Sequence, residues 1–202
     1  MRGGMTAFAP ASQAVRPEDR FRRRRLSGAP GVRLVVDSLP SPIGPIFIAC
    51  TDDALCVVDF DGNEERMHTH LRRRFAEYEL FGEPNPLGVT ALLERYFAGD
   101  LGAIANVRVD AGGTPYQCRV WNELRTIPCG QTRTYAQIAA RLGNTHARAV
   151  GQANSLNPVA IVVPCHRVIG ANAALTGYAG GLSRKRWLLD HESHNGILRL
   201  PL

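Results

Sequence analysis

From Val32 onward, short β-rich runs alternate with turn-forming residues. Val32 to Val36, Pro45 to Cys50 and Leu55 to Phe60 are separated by Ser41-Pro42-Ile43-Gly44 and by Thr51-Asp52-Asp53. Runs rich in Val, Ile and Phe and bounded by Pro, Gly and Asp predict a small antiparallel sheet. Apolar residues then recur at helical spacing over Glu64 to Tyr78 and Pro86 to Phe97, with Gly99 placed to stop the second helix. The pattern predicts an N-terminal α/β domain over residues 31–100.

The remainder, residues 101–202, reads differently. Val120, Trp121, Leu124 and Ile127 lie on one face of a helix over Tyr116 to Thr126, with Trp121 in the core. Thr134-Tyr135-Ala136-Gln137 is a capping box, and Tyr135, Ile138, Ala139 and Leu142 continue it as one apolar face up to Gly143. A second helix over His146 to Ser155 carries Arg148 and the small residues Ala147, Ala149, Gly151 and Ala153. Two short helices joined by a tight glycine turn predict a helix-turn-helix in a mostly α half. The small residues admit two readings, close packing on the first helix or close approach to a nucleic-acid backbone. Next, Val159 to Val163 reads as a buried strand that delivers Pro164-Cys165-His166-Arg167 at its end.

Composition narrows the class. With 202 residues, 45% hydrophobic and 21% charged, the chain is an ordinary globular protein of one or two domains. No run approaches the roughly 18–20 apolar residues of a membrane helix, and the start lacks the apolar stretch of a secretory signal, so a cytoplasmic protein is expected. Residues 1–30, rich in Gly, Pro, Ala and Ser, read as a disordered basic tail whose run Arg22 to Arg25 is either solvated charge or a phosphate contact. Cys50, Cys56, Cys118, Cys129 and Cys165 form no C-x-x-C pair, which suggests neither a disulfide framework nor a zinc tetrad. Charge is divided: residues 91–202 hold 12 Lys+Arg against 6 Asp+Glu, and residues 26–90 hold 5 against 10. A basic second half suits a polyanionic partner or a solvated face.

Cys165 is the candidate nucleophile. A free thiol with a pKa of about 8.5 is only about 3% thiolate at pH 7, so it needs a base or a positive neighbour. His166 is adjacent, and on an extended strand adjacent side chains point to opposite faces, so a bridging water is the expected link. The string from Asn157-Pro158 to Pro164-Cys165-His166-Arg167-Val168 resembles the active-site motif of the O6-alkylguanine-DNA alkyltransferases, the suicide DNA-repair proteins. The resemblance extends through Thr114-Pro115-Tyr116, Ile127-Pro128-Cys129-Gly130, Thr134-Tyr135, Ala147 to Gly151, Thr176 to Gly181 and Trp187 to Glu192.

That resemblance implies a ribonuclease-H-like N-terminal domain followed by a winged helix-turn-helix. It also implies repair of O6-alkylguanine in double-stranded DNA. Cys165 would accept the alkyl group, His166 would act as base through water, Glu192 would hold the imidazole and Asn157 would complete the cluster. Tyr135 would aid nucleotide rotation and protonate the leaving guanine, and Arg148 would fill the gap left by the flipped base. Ala149 and Gly151 would let the second helix approach the minor groove, while Tyr178, Gly177, Asn154 and Val168 would line the base pocket. The thioether product resists hydrolysis, so the protein would act once, as a monomer, with no metal or other cofactor. Ala179 replaces a serine of some relatives and Asn154 a bulkier apolar residue, which bears on alkyl preference. The Asn144-Thr145-His146 turn is one residue shorter than in some relatives. Two rival readings from the residues alone are a helix-turn-helix regulator, which leaves Cys165, His166 and Glu192 without a task, and a thiol hydrolase, which leaves the helix-turn-helix unexplained.

Overall fold

The computed structural model describes residues 31–194; the N-terminal tail with Arg22 to Arg25 and the last eight residues lie outside the described residues. Strands β1 (Val32–Leu39), β2 (Ile46–Cys50) and β3 (Leu55–Phe60) form the expected antiparallel meander. Two helices accompany it, α1 (Glu64–Arg74) and α2 (Val89–Phe97), the latter entered through a 3-10 turn at Pro86–Gly88. Gly99, at φ 106°, follows α2 as its sequence position predicts.

One element differs from the sequence reading. The helix expected to reach Tyr78 stops at Arg74, because Phe75 turns extended (φ −116°, ψ 117°). Tyr78–Gly82 becomes β4, paired parallel with β1, so the sheet is mixed, in the order β3-β2-β1-β4. Tyr78 and Leu80 are buried against Leu34, Val36, Met67 and Leu71, a face that exists only once β1 is beside them. Tertiary pairing overrides the helical spacing here.

The other sheet face meets the second half. α3 (Pro115–Arg125), α4 (Tyr135–Leu142), α5 (Ala147–Ser155) and α6 (Leu182–His194) surround Val120, Leu124, Ile138, Val150 and Leu188, in one core with Ile46, Ile48, Leu55, Val58 and Phe60 of the sheet. The Thr134 capping box is present in both directions, with Gln137 N donating to Thr134 Oγ1 at 3.2 Å and Thr134 N to Gln137 Oε1 at 2.7 Å. Trp121 is in the core, its Nε1 donating to the Ala153 carbonyl at 2.9 Å. Short strands β5 (Arg133–Thr134) and β6 (Val168–Ile169) pair parallel beside the two helices.

The free edge of β3 is closed by the second half. Leu55 N donates to Arg108 O at 2.9 Å, and Val58 N to Pro158 O at 3.0 Å, with return bonds from Asp110 N and Ala160 N. The second pair fixes the start of Val159 to Val163, which corrects the strand expected there. Beyond the bridge at Val159 the chain coils on itself, Val162 N donating to Ala160 O, Val163 N to Val159 O and Cys165 N to Val163 O. Ile161 sits in the left-handed region at φ 69°, a costly place for a β-branched residue. A short apolar run has no periodicity that separates a buried strand from a buried coil, and Pro158 and Pro164 remove ladder donors at both ends.

Gly113, at φ 91°, faces the Trp121 ring, and an added Cβ would lie 2.7 Å from it. Gly113→Ala should therefore destabilise the fold by about 1–3 kcal/mol, read as a drop of several degrees in thermal denaturation.

Candidate active site

Cys165 opens a 3-10 turn, Cys165–Arg167, instead of ending a strand. It is buried in a narrow cleft lined by Asn154, Asn157, Gly177 and Tyr178, together with Asp59, Phe60 and Arg66 of the first half. Burial pushes the thiol up from its ordinary range. A hydrogen bond with Asn157 and the charges of Arg66 and Lys185 oppose this without cancelling it. The thiol is protonated at rest.

Asn157 ties down the coil that delivers the thiol. Its Nδ2 donates to Val163 O at 2.9 Å and its Oδ1 accepts from Val159 N at 3.0 Å. Arg66 donates to Asn157 O at 2.7 Å and pairs with buried Asp59, so α1 and β3 buttress the same coil.

His166 and Glu192 meet as expected, and neither reaches solvent. His166 Nε2 lies 2.9 Å from Glu192 Oε1. The Glu192 carboxylate also accepts from Tyr96 Oη at 2.8 Å, from Arg167 Nε and Nη2 at 2.8 Å each, and from Gly130 N at 3.3 Å. Burial opposes its charge, but His166 and Arg167 outweigh burial and hold the carboxyl well below the ordinary range. An ionised acceptor fixes the proton on Nε2, leaving the Nδ1 lone pair free. That Nδ1 is buried with no hydrogen-bond partner among the described residues. Burial lowers the His166 pKa against the pull of Glu192, so the imidazole is neutral at rest. The cleft thus holds a protonated thiol, and the next residue in sequence, buried behind it, is a neutral imidazole whose Nδ1 has no partner among the described residues.

Tyr178 and Asn154 line the same cleft, and the Tyr178 hydroxyl and Asn154 Oδ1 are buried with no hydrogen-bond partner among the described residues. Tyr135 opens α4, half-buried, with its phenol raised chiefly by burial, against which the nearby Thr176 and Asn154 side chains pull it down. Gly177 lines the cleft at φ 35°. Val168 is not among the residues that line the cleft: its side chain is fully buried in the core, its amide donates to Cys165 O and its carbonyl accepts from Lys185 Nζ at 2.6 Å. In β6 it pairs with Arg133, and both residues of that short strand are buried.

On α5 the row of small residues divides. Ala153 packs inward, whereas Ala147 and Arg148 are exposed and Ala149 and Gly151 half-exposed. A Cβ on Gly151 would touch only the Tyr135 ring at 3.8 Å, so internal packing does not require glycine there. His146 caps the helix through Nδ1, which accepts from Ala149 N at 3.2 Å.

Arg167, Tyr96, Gly130 and Lys185 complete the site beyond the residues singled out from sequence. Lys185 is the single lysine of the chain, fully buried, with Nζ donating to Val168 O at 2.6 Å and Thr176 O at 2.8 Å. Burial lowers it to about 8. A lone lysine in an arginine-rich chain is a signal the sequence offers; Tyr96, one aromatic among several on an amphipathic helix, offers none.

Profiles described as "6-O-methylguanine DNA methyltransferase, ribonuclease-like domain" and "6-O-methylguanine DNA methyltransferase, DNA binding domain" match residues 34–111 and 115–194. The chain belongs to this family. A methylated-DNA–protein-cysteine methyltransferase of Salmonella typhimurium is 46% identical over 167 residues, covering 81% of this chain and 98% of the relative. One from Mycobacterium tuberculosis is 44% identical over 172 residues, covering 82% and 96%. The crystal structure of the M. tuberculosis O6-methylguanine methyltransferase superposes with a TM-score of 0.68 at 39% identity, over 82% of this chain and 96% of that one. A structure of the M. tuberculosis protein in complex with DNA superposes equally well, at 0.68 and 41% identity, over 81% and 94%. The two-part architecture of the methyltransferase family, ribonuclease-like sheet then helical DNA-binding half, is the one described above.

Acid should weaken this fold in a defined window. The pKa of His166 is lowered by burial, and that of His70 is lowered to about 4 for the same first reason. Unfolding raises both toward about 6.5, so the unfolded chain binds more protons below that pH and stability falls as pH descends through it. Glu192, held low in the fold, adds a further loss below about 4.3, where the unfolded carboxyl protonates. Urea unfolding at pH 7.5, 5.5 and 4.5 should give successively smaller stabilities; equal values at 7.5 and 5.5 would mean that the buried imidazoles take protons in the folded state.

Proposed function

We propose that the protein repairs O6-alkylguanine in duplex DNA by one irreversible transfer of the alkyl group to Cys165. The observation that carries this reading is the buried thiol followed in sequence by an imidazole whose tautomer Glu192 fixes, at a cleft where Tyr178 Oη and Asn154 Oδ1 have no hydrogen-bond partner among the described residues. The family to which the chain belongs supports it.

The chemistry follows from the resting state. A thiol raised by burial and a neutral imidazole form no ion pair until a substrate is in place. His166 Nδ1 then takes the Cys165 proton through a bridging water, and Glu192 stabilises the imidazolium. The thiolate sulfur attacks the alkyl carbon, the carbon–O6 bond breaks, and the departing guanine receives a proton from Tyr135. A thioether and a normal guanine remain. No carbonyl is present for water to attack, so the alkylated protein is an end product.

Access requires the base to leave the helix, at a cost of a few kcal/mol. Arg148, exposed on α5 and without an ion-pair partner among the described residues, takes the vacated place in the stack. Ala149 and Gly151 permit α5 to lie close in the minor groove, and Gly177 and Tyr178 cover the flipped base. No helix among the described residues is long and apolar enough to cross a membrane. A monomer in the cytoplasm suits this reading.

Incubation with duplex DNA carrying one O6-methylguanine should add about 14 Da to the intact protein, the mass of one methylene on a thiol. The adduct should map to the Cys165 peptide, saturate at one per molecule and vanish in Cys165→Ala. A catalytic turnover, or an adduct elsewhere, would reject the assignment. Arg148→Ala should slow reaction with the duplex tenfold or more while leaving reaction with free O6-benzylguanine within about twofold. Equal losses with both substrates would remove Arg148 from base extrusion.

A further inference from the structure

Tyr96 lies on α2, in the sheet-bearing half of the chain, and has no place in the helix-turn-helix or the cleft. Its side chain is fully buried, and its hydroxyl donates to Glu192 Oε1 at 2.8 Å, the same oxygen that receives His166 Nε2 at 2.9 Å. We infer that Tyr96 is a positioning residue for alkyl transfer, supplied by the first half of the chain, which sets through Glu192 how strongly His166 holds a proton. The inference rests on the proposed function and extends it to a group that touches neither thiol nor substrate.

Several donors compete for a single oxygen. Oε1 accepts from Tyr96, His166 and Arg167 Nη2, while Oε2 accepts from Arg167 Nε and the Gly130 amide. Each donor disperses part of the carboxylate charge and makes it a weaker partner for an imidazolium. The remaining groups facing this pair are Cys129, whose sulfur receives Arg167 Nη2 at 2.9 Å, and Lys185 on α6, whose charge disfavours protonation of His166. None of these replaces a neutral donor aimed at Oε1. The phenol is held far on its protonated side by burial and by Glu192, so it acts as a donor throughout the working range.

The ring of Tyr96 has separate work. It meets Phe97 edge-on at 5.3 Å and His191 edge-on at 5.2 Å, and its backbone carbonyl accepts from His191 Nε2 at 2.8 Å. Tyr96→Phe keeps these contacts and removes only the hydroxyl, which makes packing and positioning separable.

The test is the pH dependence of the single-turnover rate with free O6-benzylguanine, which needs no DNA, measured alongside thermal stability. In Tyr96→Phe the less dispersed carboxylate should let His166 keep its proton to higher pH. The rising limb should move up by about one unit, with about a tenfold loss of rate below it, the size of one hydrogen bond to a buried charge. A 3-fluorotyrosine placed at position 96 strengthens the phenol as a donor without removing any contact, and should move the limb the other way. That second protein decides the matter if Tyr96→Phe folds poorly. An unmoved limb in both, with or without a lower melting temperature, would reduce Tyr96 to a structural role and overturn the inference. If the unaltered protein forms no Cys165 adduct with O6-benzylguanine, the proposed function fails with it; if it reacts and both variants match it, only the Tyr96 inference falls.

Discussion

A single buried carboxylate organises this protein. Glu192 is 1% exposed, and removing such a charge from water costs several kcal/mol unless donors and a counter-charge surround it. Its donors come from α2, from the 127–130 loop and from the 165–167 turn, so its own helix and three other parts of the chain must be in place together. Arg167 supplies an opposite charge through its ion pair with Glu192 and extends to the Ile127 carbonyl and the Cys129 sulfur at 2.6 and 2.9 Å. The network closes only when the sheet-bearing half and the helical half are docked. The continuation of both halves along the edge of β3 serves the same end, since Pro158 and Ala160 anchor there the coil that carries the thiol.

The same burial that makes Glu192 expensive makes Cys165 quiet. A thiol raised by desolvation is a poor nucleophile and a poor target for oxidants, which attack thiolates. A neutral imidazole beside it gives no standing ion pair. Such a site holds its sulfur in reserve, which suits a residue that is consumed on first use.

The surface proposed for recognition lies on α5. α5 turns Ala153 and Val150 inward and presents Ala147, Arg148, Ala149 and Gly151 outward, so the small residues leave a low ridge with one cation projecting from it. The Tyr116 hydroxyl bonds to Thr145, and Arg119 donates to the Leu142 carbonyl at 2.8 Å, which ties the α4–α5 turn to α3. The helix proposed to meet DNA is therefore held by the same core that holds the thiol.

Several features follow from local pattern alone. The β1–β3 meander, the Thr134 capping box, the two short helices and the core position of Trp121 rest on interactions between near neighbours or on burial of an obvious apolar face, and these are written in consecutive residues. The pairing of His166 with Glu192 was legible too, although only through resemblance, since 26 positions separate them. What the pattern misjudged was settled at a distance. Tyr78–Gly82 became a strand because β1 offered it an edge. Val159 to Val163 became a coil because Val58 could bond only its beginning, and Val168 went to the shared core of both halves. Tyr96, Arg167, Gly130 and Lys185 entered the site from positions that no local period distinguishes. Backbone preference and apolar spacing act over a few residues and are legible there; the satisfaction of a buried charge depends on which groups converge in space, and only the folded chain decides that.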